Sequence, residues 1–242
     1  MIFPRKGDQY SIEHPPARSS EKKSAMPDPF ARLIPDARAF LGELAANNRR
    51  DWFAEHKARY ESDLKAPALL LLDQVAHDLG RRSEQNLIPK LFRPHRDVRF
   101  SKDKTPYHTH LHMLWTIGAG TGQKPGLFLG ISPGYVRLGG GIMGFDKPSL
   151  AGWRAAVDGP FGDSIQAILD DLASHGLMPE EPELKRVPPP YDKDHRHGGL
   201  LRRKGLAVWR DVPAVQFKNP QSALSDLFDT LQPMLEGLLR VI

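Results

Sequence analysis

From Ile34 onward, apolar residues recur at intervals of three, four and seven, which places them on one face of a helix. Phe40, Leu41 and Leu44 share such a face, and Asn47-Asn48 ends the segment. Asn48 can cap a second helix, in which Trp52, Phe53, Tyr60 and Leu64 line up. Core packing is the plain reading of those aromatic residues. Pro67 suits the first turn of a third helix carrying Leu70, Leu71, Val75 and Leu79 and closed by Gly80. Together these segments predict an N-terminal helical layer.

After Pro89 the period changes to two. Phe92, Arg96, Val98 and Phe100 point one way, and Arg93, His95, Asp97 and Arg99 the other. Pro94 lies within this stretch, so the strand is expected at an edge or with a bulge. The run SKDKTP reads as a turn. A second strand follows, with Tyr107, Thr109, Leu111, Met113 and Trp115 on one face and His108, His110 and His112 on the other. GLFLGIS, the turn Pro133-Gly134 and YVRLGG form a hairpin. Consecutive strands without intervening helices predict an antiparallel sheet.

Helical spacing then returns. Leu150, Trp153, Arg154 and Val157 fit one helix; Phe161, Ile165, Ile168, Leu169 and Leu172 fit another that ends near Gly176. VPPPYDKDHRHGG is a loop and LAVWRDV a last strand. Asn219-Pro220 opens a final helix that buries Leu224, Leu227, Phe228, Leu231, Met234, Leu235, Leu238 and Leu239. The expected fold is α+β, a mainly antiparallel sheet flanked by N-terminal and C-terminal helices in a single domain over residues 30–242. Residues 1–29 are polar and aperiodic and read as a disordered tail. Met26, just before the first periodic segment, is a second candidate start.

Composition narrows the function classes. Of 242 residues, 40% are hydrophobic and 26% charged, as in ordinary globular chains. No apolar run approaches the roughly 18 residues of a membrane span, so no membrane partner is expected. There is no cysteine, which removes thiol nucleophiles, disulfides and thiolate metal sites and fits a reducing, cytoplasmic setting. The net charge is +5, mild for a non-specific nucleic-acid binder. Its distribution is uneven. Lys90–His110 holds six Lys/Arg against Asp97 and Asp103, giving +4; Lys185–Arg210 holds eight against Asp192 and Asp194, giving +6. The remainder is therefore −5, and convergence of the two stretches would form one positive surface.

The run Arg96-Asp97-Val98-Arg99-Phe100-Ser101-Lys102-Asp103-Lys104-Thr105-Pro106-Tyr107, with NNRRDWFAEHKARY upstream, GLFLGISPGYVRLGGG in the middle and PPPYDKDHRHGGLLRRKGL downstream, resembles the family catalogued as domain of unknown function 2461. The resemblance spans roughly residues 36 to 240. It implies that Trp52, Arg96, Asp97, Arg99, Phe100, Ser101, Lys104, Pro106 and Tyr107 sit at signature positions, and it carries no particular activity. The chain departs from the family pattern at Pro94, His95 and His108.

The first candidate site is the strand-turn-strand itself. Arg93 and Arg99 at alternate positions present planar forks suited to phosphate or carboxylate. Arg96, Ser101, Lys102, Lys104, Thr105 and Tyr107 supply further donors beside them, with Lys204 from the second basic stretch. The plain alternative is a solvated turn whose charges pair locally. His108, His110 and His112 share a strand face and are weak metal candidates, because same-face positions about 6.8 Å apart converge poorly on one ion. Gly139-Gly140-Gly141-Ile142-Met143-Gly144 matches a dinucleotide-binding spacing without the βαβ unit that reading requires, so a tight backbone turn is expected. The loop Tyr191–His197 brings Asp194 and His195 as a possible acid or base.

Two functions follow, with a structural alternative. One is a domain binding an anionic small molecule, or nucleic acid, through Arg93, Arg99, Lys102 and Lys104 with help from Lys204. The other is a hydrolase or transferase on a phosphorylated substrate, with Asp97, His108 or His195 handling protons. The structural alternative is a protein-interaction domain whose signature fixes a sheet corner. No cofactor and no oligomeric state can be read from the residues.

Overall fold

The helical spacing at the two ends of the chain, and the alternation between them, are realised in a computed structural model that describes residues 29–214, 217 and 219–242. The tail expected over residues 1–29 lies, through residue 28, outside the described residues. The first helices are α1 (Leu33–Ala46), α2 (Arg50–Glu55), α3 (Lys57–Arg59), a π-helical turn (Tyr60–Lys65) and α4 (Ala66–Ser83). Phe40, Leu41, Leu44, Phe53, Tyr60, Leu64, Leu71, Val75 and Leu79 are all buried. Leu70 instead faces solvent, and α4 runs past Gly80 to Ser83 before Glu84 turns it off in a left-handed conformation.

Six strands form one sheet of order β1-β2-β3-β4-β6-β5, every neighbouring pair antiparallel. They are β1 (Leu87–Leu91), β2 (Leu111–Ile117), β3 (Gly126–Ile131), β4 (Val136–Ile142), β5 (Met178–Pro179) and β6 (Leu206–Asp211). Helices α5 (Lys147–Asp158), α6 (Phe161–Ser174), the short α7 (Gly198–Leu201) and the long α8 (Pro220–Val241) complete the order. The fold is α+β, an antiparallel sheet flanked by N-terminal and C-terminal helices, of which α4 and α8 pack side by side on one face. Among the described residues, no helix is long and apolar enough to cross a membrane.

The strand expected over Phe92–Phe100 is not formed. The ladder stops at Leu91, and beyond it only His95 bridges Tyr107. Pro94 has no N–H to continue a ladder. The side chains of Asp97 and Asp103 accept from the backbone N–H of Arg99 and Thr105, which offers this segment local turns in place of strand partners.

Strand alternation gives the sheet two faces. On one, Leu111, Met113, Trp115, Leu127, Leu129, Leu138 and Val208 are buried against α4 and α8. The Trp115 indole donates to the Leu72 carbonyl of α4 at 2.9 Å. A Cβ at Gly140 would lie 2.5 Å from Leu231 of α8, so glycine at this position lets that helix press directly on β4. The triple glycine is therefore strand, not the expected backbone turn. Asn219 caps α8, accepting from the Ser222 N–H.

Candidate functional site

The segment joining β1 to β2 has a fixed base and an exposed tip. At the base, Tyr107 is buried and stacks on Phe53, with ring centres 4.2 Å apart. Asn48 does not cap a helix. Its side chain donates to the Tyr107 carbonyl at 2.9 Å and accepts from the Tyr107 N–H at 3.1 Å, which ties the helical layer to the segment.

Beyond this base the charges largely satisfy one another. Arg96, half-buried, donates to Asp103, to the Thr105 carbonyl and to the Thr105 hydroxyl. The Thr105 N–H and Arg96 together hold the Asp103 carboxyl down at about 2. Arg99 grips Asp97 through two nitrogens, and this pairing keeps the Asp97 carboxyl below its ordinary value. Lys104 donates to the Val98 carbonyl at 3.0 Å. Ser101 donates its backbone N–H to the same carbonyl. Among the described residues, Lys90, Arg93 and Lys102 are exposed cations without an ion pair. Phe100 stands at the tip, 97% exposed.

Lys204 does not join this group. It precedes Leu206, which pairs with Ile142, whereas the basic segment enters β2 at Leu111, in line with Ile131 and Val136. Lys204 and the entry to β2 therefore sit at opposite ends of the sheet, separated by the roughly 20 Å length of β4. Other cations of the second stretch are spent locally, Arg203 on the Glu180 carbonyl and Arg196 on Asp163.

The imidazole of His110 stacks on that of His112, ring centres 3.8 Å apart, and His108 lies tilted against His110 at 4.7 Å. Stacked rings do not converge their nitrogens on one point. Among the described residues, no group of three or more His, Cys, Asp or Glu could hold a metal ion. Burial, reinforced by His112 and His108, pushes the His110 imidazolium down to about 4, so this ring is neutral at physiological pH. His195 lies elsewhere, on Asp158 at 3.1 Å at the end of α5, beside the His197–Asp163 pair. No hydrogen bond or ring contact joins Asp97, His108 and His195, among the described residues.

What the sequence reading missed is the second face of the sheet. In register across it lie His112, Gly130, Arg137 and Asp211, and next to that row Lys90, Leu114, Phe128, Gly139 and Trp209. A Cβ at Gly139 would collide with the Val208 carbonyl and lie 2.5 Å from the Trp209 ring, so glycine here admits both the β6 backbone and the indole, whose ring lies 5.3 Å from that of Phe128. The result is a recess of about 390 Å³ walled by Phe92, His112, Phe128, Tyr135, Arg137 and Trp209, with no helical residue in its lining. The Tyr135 hydroxyl lies 3.0 Å from His112 Nε2. Arg137 is held by Asp211 at 2.7 Å and by Glu180 at 3.4 Å. Met143 and Met178 add exposed apolar surface, at 67% and 60%. A larger recess of about 490 Å³ between α4 and α8 is walled mainly by polar groups already engaged, Arg82 with Ser225 and Asp229 and Gln221 with Asp78.

The open-face recess and the basic segment meet at Phe92. Its ring lines the recess while the Lys90 ammonium lies 4.8 Å from its centre. One signal in the sequence could have found the site: Phe128 and Trp209 are aromatic residues at outward positions of two strands whose intervening neighbour is glycine. Among curated proteins and solved structures, no match is found. The description "Conserved hypothetical protein (DUF2461)" belongs to a family model that matches residues 36–236, and the chain is a member of that family.

Proposed function

We propose that the protein is a cytoplasmic binding domain for a flat, anion-bearing molecule. The ring lies in the open-face recess, and its phosphate or carboxylate is met by the cations of the adjoining basic segment. The observation that carries this reading is the recess: an aromatic-walled hollow on an open sheet face, bordered at Phe92 by the Lys90 ammonium, which makes no ion pair among the described residues. Arg93 follows Phe92 directly and is exposed, with its charge felt by Asp97 but bound in no ion pair among the described residues. Arg96 and Arg99 act mainly to hold the segment's shape, because Asp103 and Asp97 occupy their forks. The hydrolase or transferase reading finds no such support, since its acid and base candidates share no contact.

Fluorescence titration with anilinonaphthalene sulfonate, a flat ring bearing an anion, tests the reading. Trp209→Ala is expected to weaken binding at least tenfold while circular dichroism stays native. The double change Lys90→Ala, Arg93→Ala should weaken it further at low salt than at high salt. Undiminished binding in Trp209→Ala overturns the proposal.

A further inference from the structure

We infer that the ligand of this face is a single-stranded nucleic acid, an inference that rests on the binding reading above and names its chemistry. Three observations converge. First, the rings Phe128, Trp209 and Phe92 line an open sheet face, where every base can offer a π-face without sequence readout. Second, a fourth ring, Phe100, is 97% exposed on the same segment as Phe92, where nothing within the described residues covers it except the edge of Arg99, 6.0 Å from its centre. An aromatic side chain held this far out of the core leaves both ring faces open to an incoming partner. Third, cations interleave with these rings: Lys90, Phe92, Arg93, Arg99, Phe100, Lys102 and Lys104 follow one another, and residues 90–104 carry six cations against Asp97 and Asp103.

Alternating rings and cations match the alternating bases and phosphates of an unpaired strand. A small ligand would fill the recess and leave Phe100 and Lys102 unused. A duplex would hide its base faces from all four rings. The acids on this face, Asp211 and Glu180, share the single cation Arg137, so the β4–β6 side keeps a net negative charge. The phosphates are therefore drawn to the β1 side, where the free cations are.

Fluorescence anisotropy with labelled twelve-nucleotide oligouridylate and oligothymidylate tests the inference, with polyglutamate as a ringless anion. Binding of either oligomer supports it, and the tighter one names RNA or DNA as the source. Phe100→Ala, which removes no core contact, should weaken binding between about fivefold and a hundredfold. The logarithm of affinity should fall with the logarithm of salt with a slope of about −2, and Lys102→Ala should reduce that slope by about 0.7. Failure of both oligomers to bind while anilinonaphthalene sulfonate still binds sinks this inference and leaves the binding reading standing. Failure of all three probes sinks both. Polyglutamate binding as tightly as the oligomers, or an unchanged affinity in Phe100→Ala, overturns the stacking on which it depends.

Discussion

The two faces of the sheet are cut from the same strands, yet they end in opposite states. On the helix side, Leu111, Met113, Trp115 and Val208 meet α4 and α8, and the one gap, at Gly140, is filled by Leu231. On the other side, Gly130 and Gly139 leave gaps that Tyr135, His112 and Trp209 close over without any helix to seal them. Glycine thus serves opposite ends within two adjacent residues of β4. At Gly140 it admits a helix and completes the core; at Gly139 it admits an indole and shapes a hollow. Two-residue alternation divides a strand into faces, but what stands opposite each gap decides whether a face becomes core or site.

The sharpest way to break this comparison is to truncate one indole on each face. Trp115→Ala should cost about 3–5 kcal/mol in urea denaturation, because it empties a fully buried position and leaves the Leu72 carbonyl without its indole donor. Trp209→Ala should cost far less and act on binding instead; equal losses of stability would erase the distinction. Next comes pH. His110 is held neutral with its proton affinity pushed down to about 4, below the ordinary 6.5. Its contribution is fully present above pH 6.5 and is lost as pH falls toward 4, by at most about 3 kcal/mol given its partial burial. His110→Gln should flatten the stability profile over that window, and a profile as steep as that of the parent would refute the assignment.

Smaller effects sharpen the picture. Gly139→Ala should cost about 1–3 kcal/mol, since the new methyl collides with the Val208 carbonyl and with the Trp209 ring, and should weaken anilinonaphthalene sulfonate binding along with it. Asn48→Ala removes two hydrogen bonds to Tyr107 and should cost about 1–3 kcal/mol, loosening the segment's base as read by hydrogen exchange at residues 95–107. Arg99→Ala is the smallest. Its fork is exposed and, among the described residues, its acid partner is Asp97 alone, so the urea midpoint should stay where it is.

Much of the fold was legible because burial follows period. The face of α1, the outward His112 of β2, the Pro133-Gly134 hairpin, β6 and the Asn219 cap of α8 all lie where spacing and turn chemistry put them, whereas His108 and His110 precede β2, which begins at Leu111. The strand expected over Phe92–Phe100 failed for a local reason: carboxylates two residues from a free N–H compete with a ladder, and Pro94 cannot extend one. The site was less legible. Lys204 was grouped with Arg99 on charge alone, and charge has no direction along the chain. Phe128 and Trp209 read as ordinary strand residues until the strand order sets Gly139 between them, and that order comes from pairing far along the chain.

The chain alone settled its α+β class, its antiparallel pairing and its family, since periodicity and turn residues act over a few positions; that Arg96 and Arg99 are taken up by Asp103 and Asp97 was decided by the folded segment. Register was settled by tertiary structure. Which strand lies beside which, and therefore which rings share a hollow and which cations stand at the same end of the sheet, depends on pairings between residues tens of positions apart. Such contacts form only when the whole core closes.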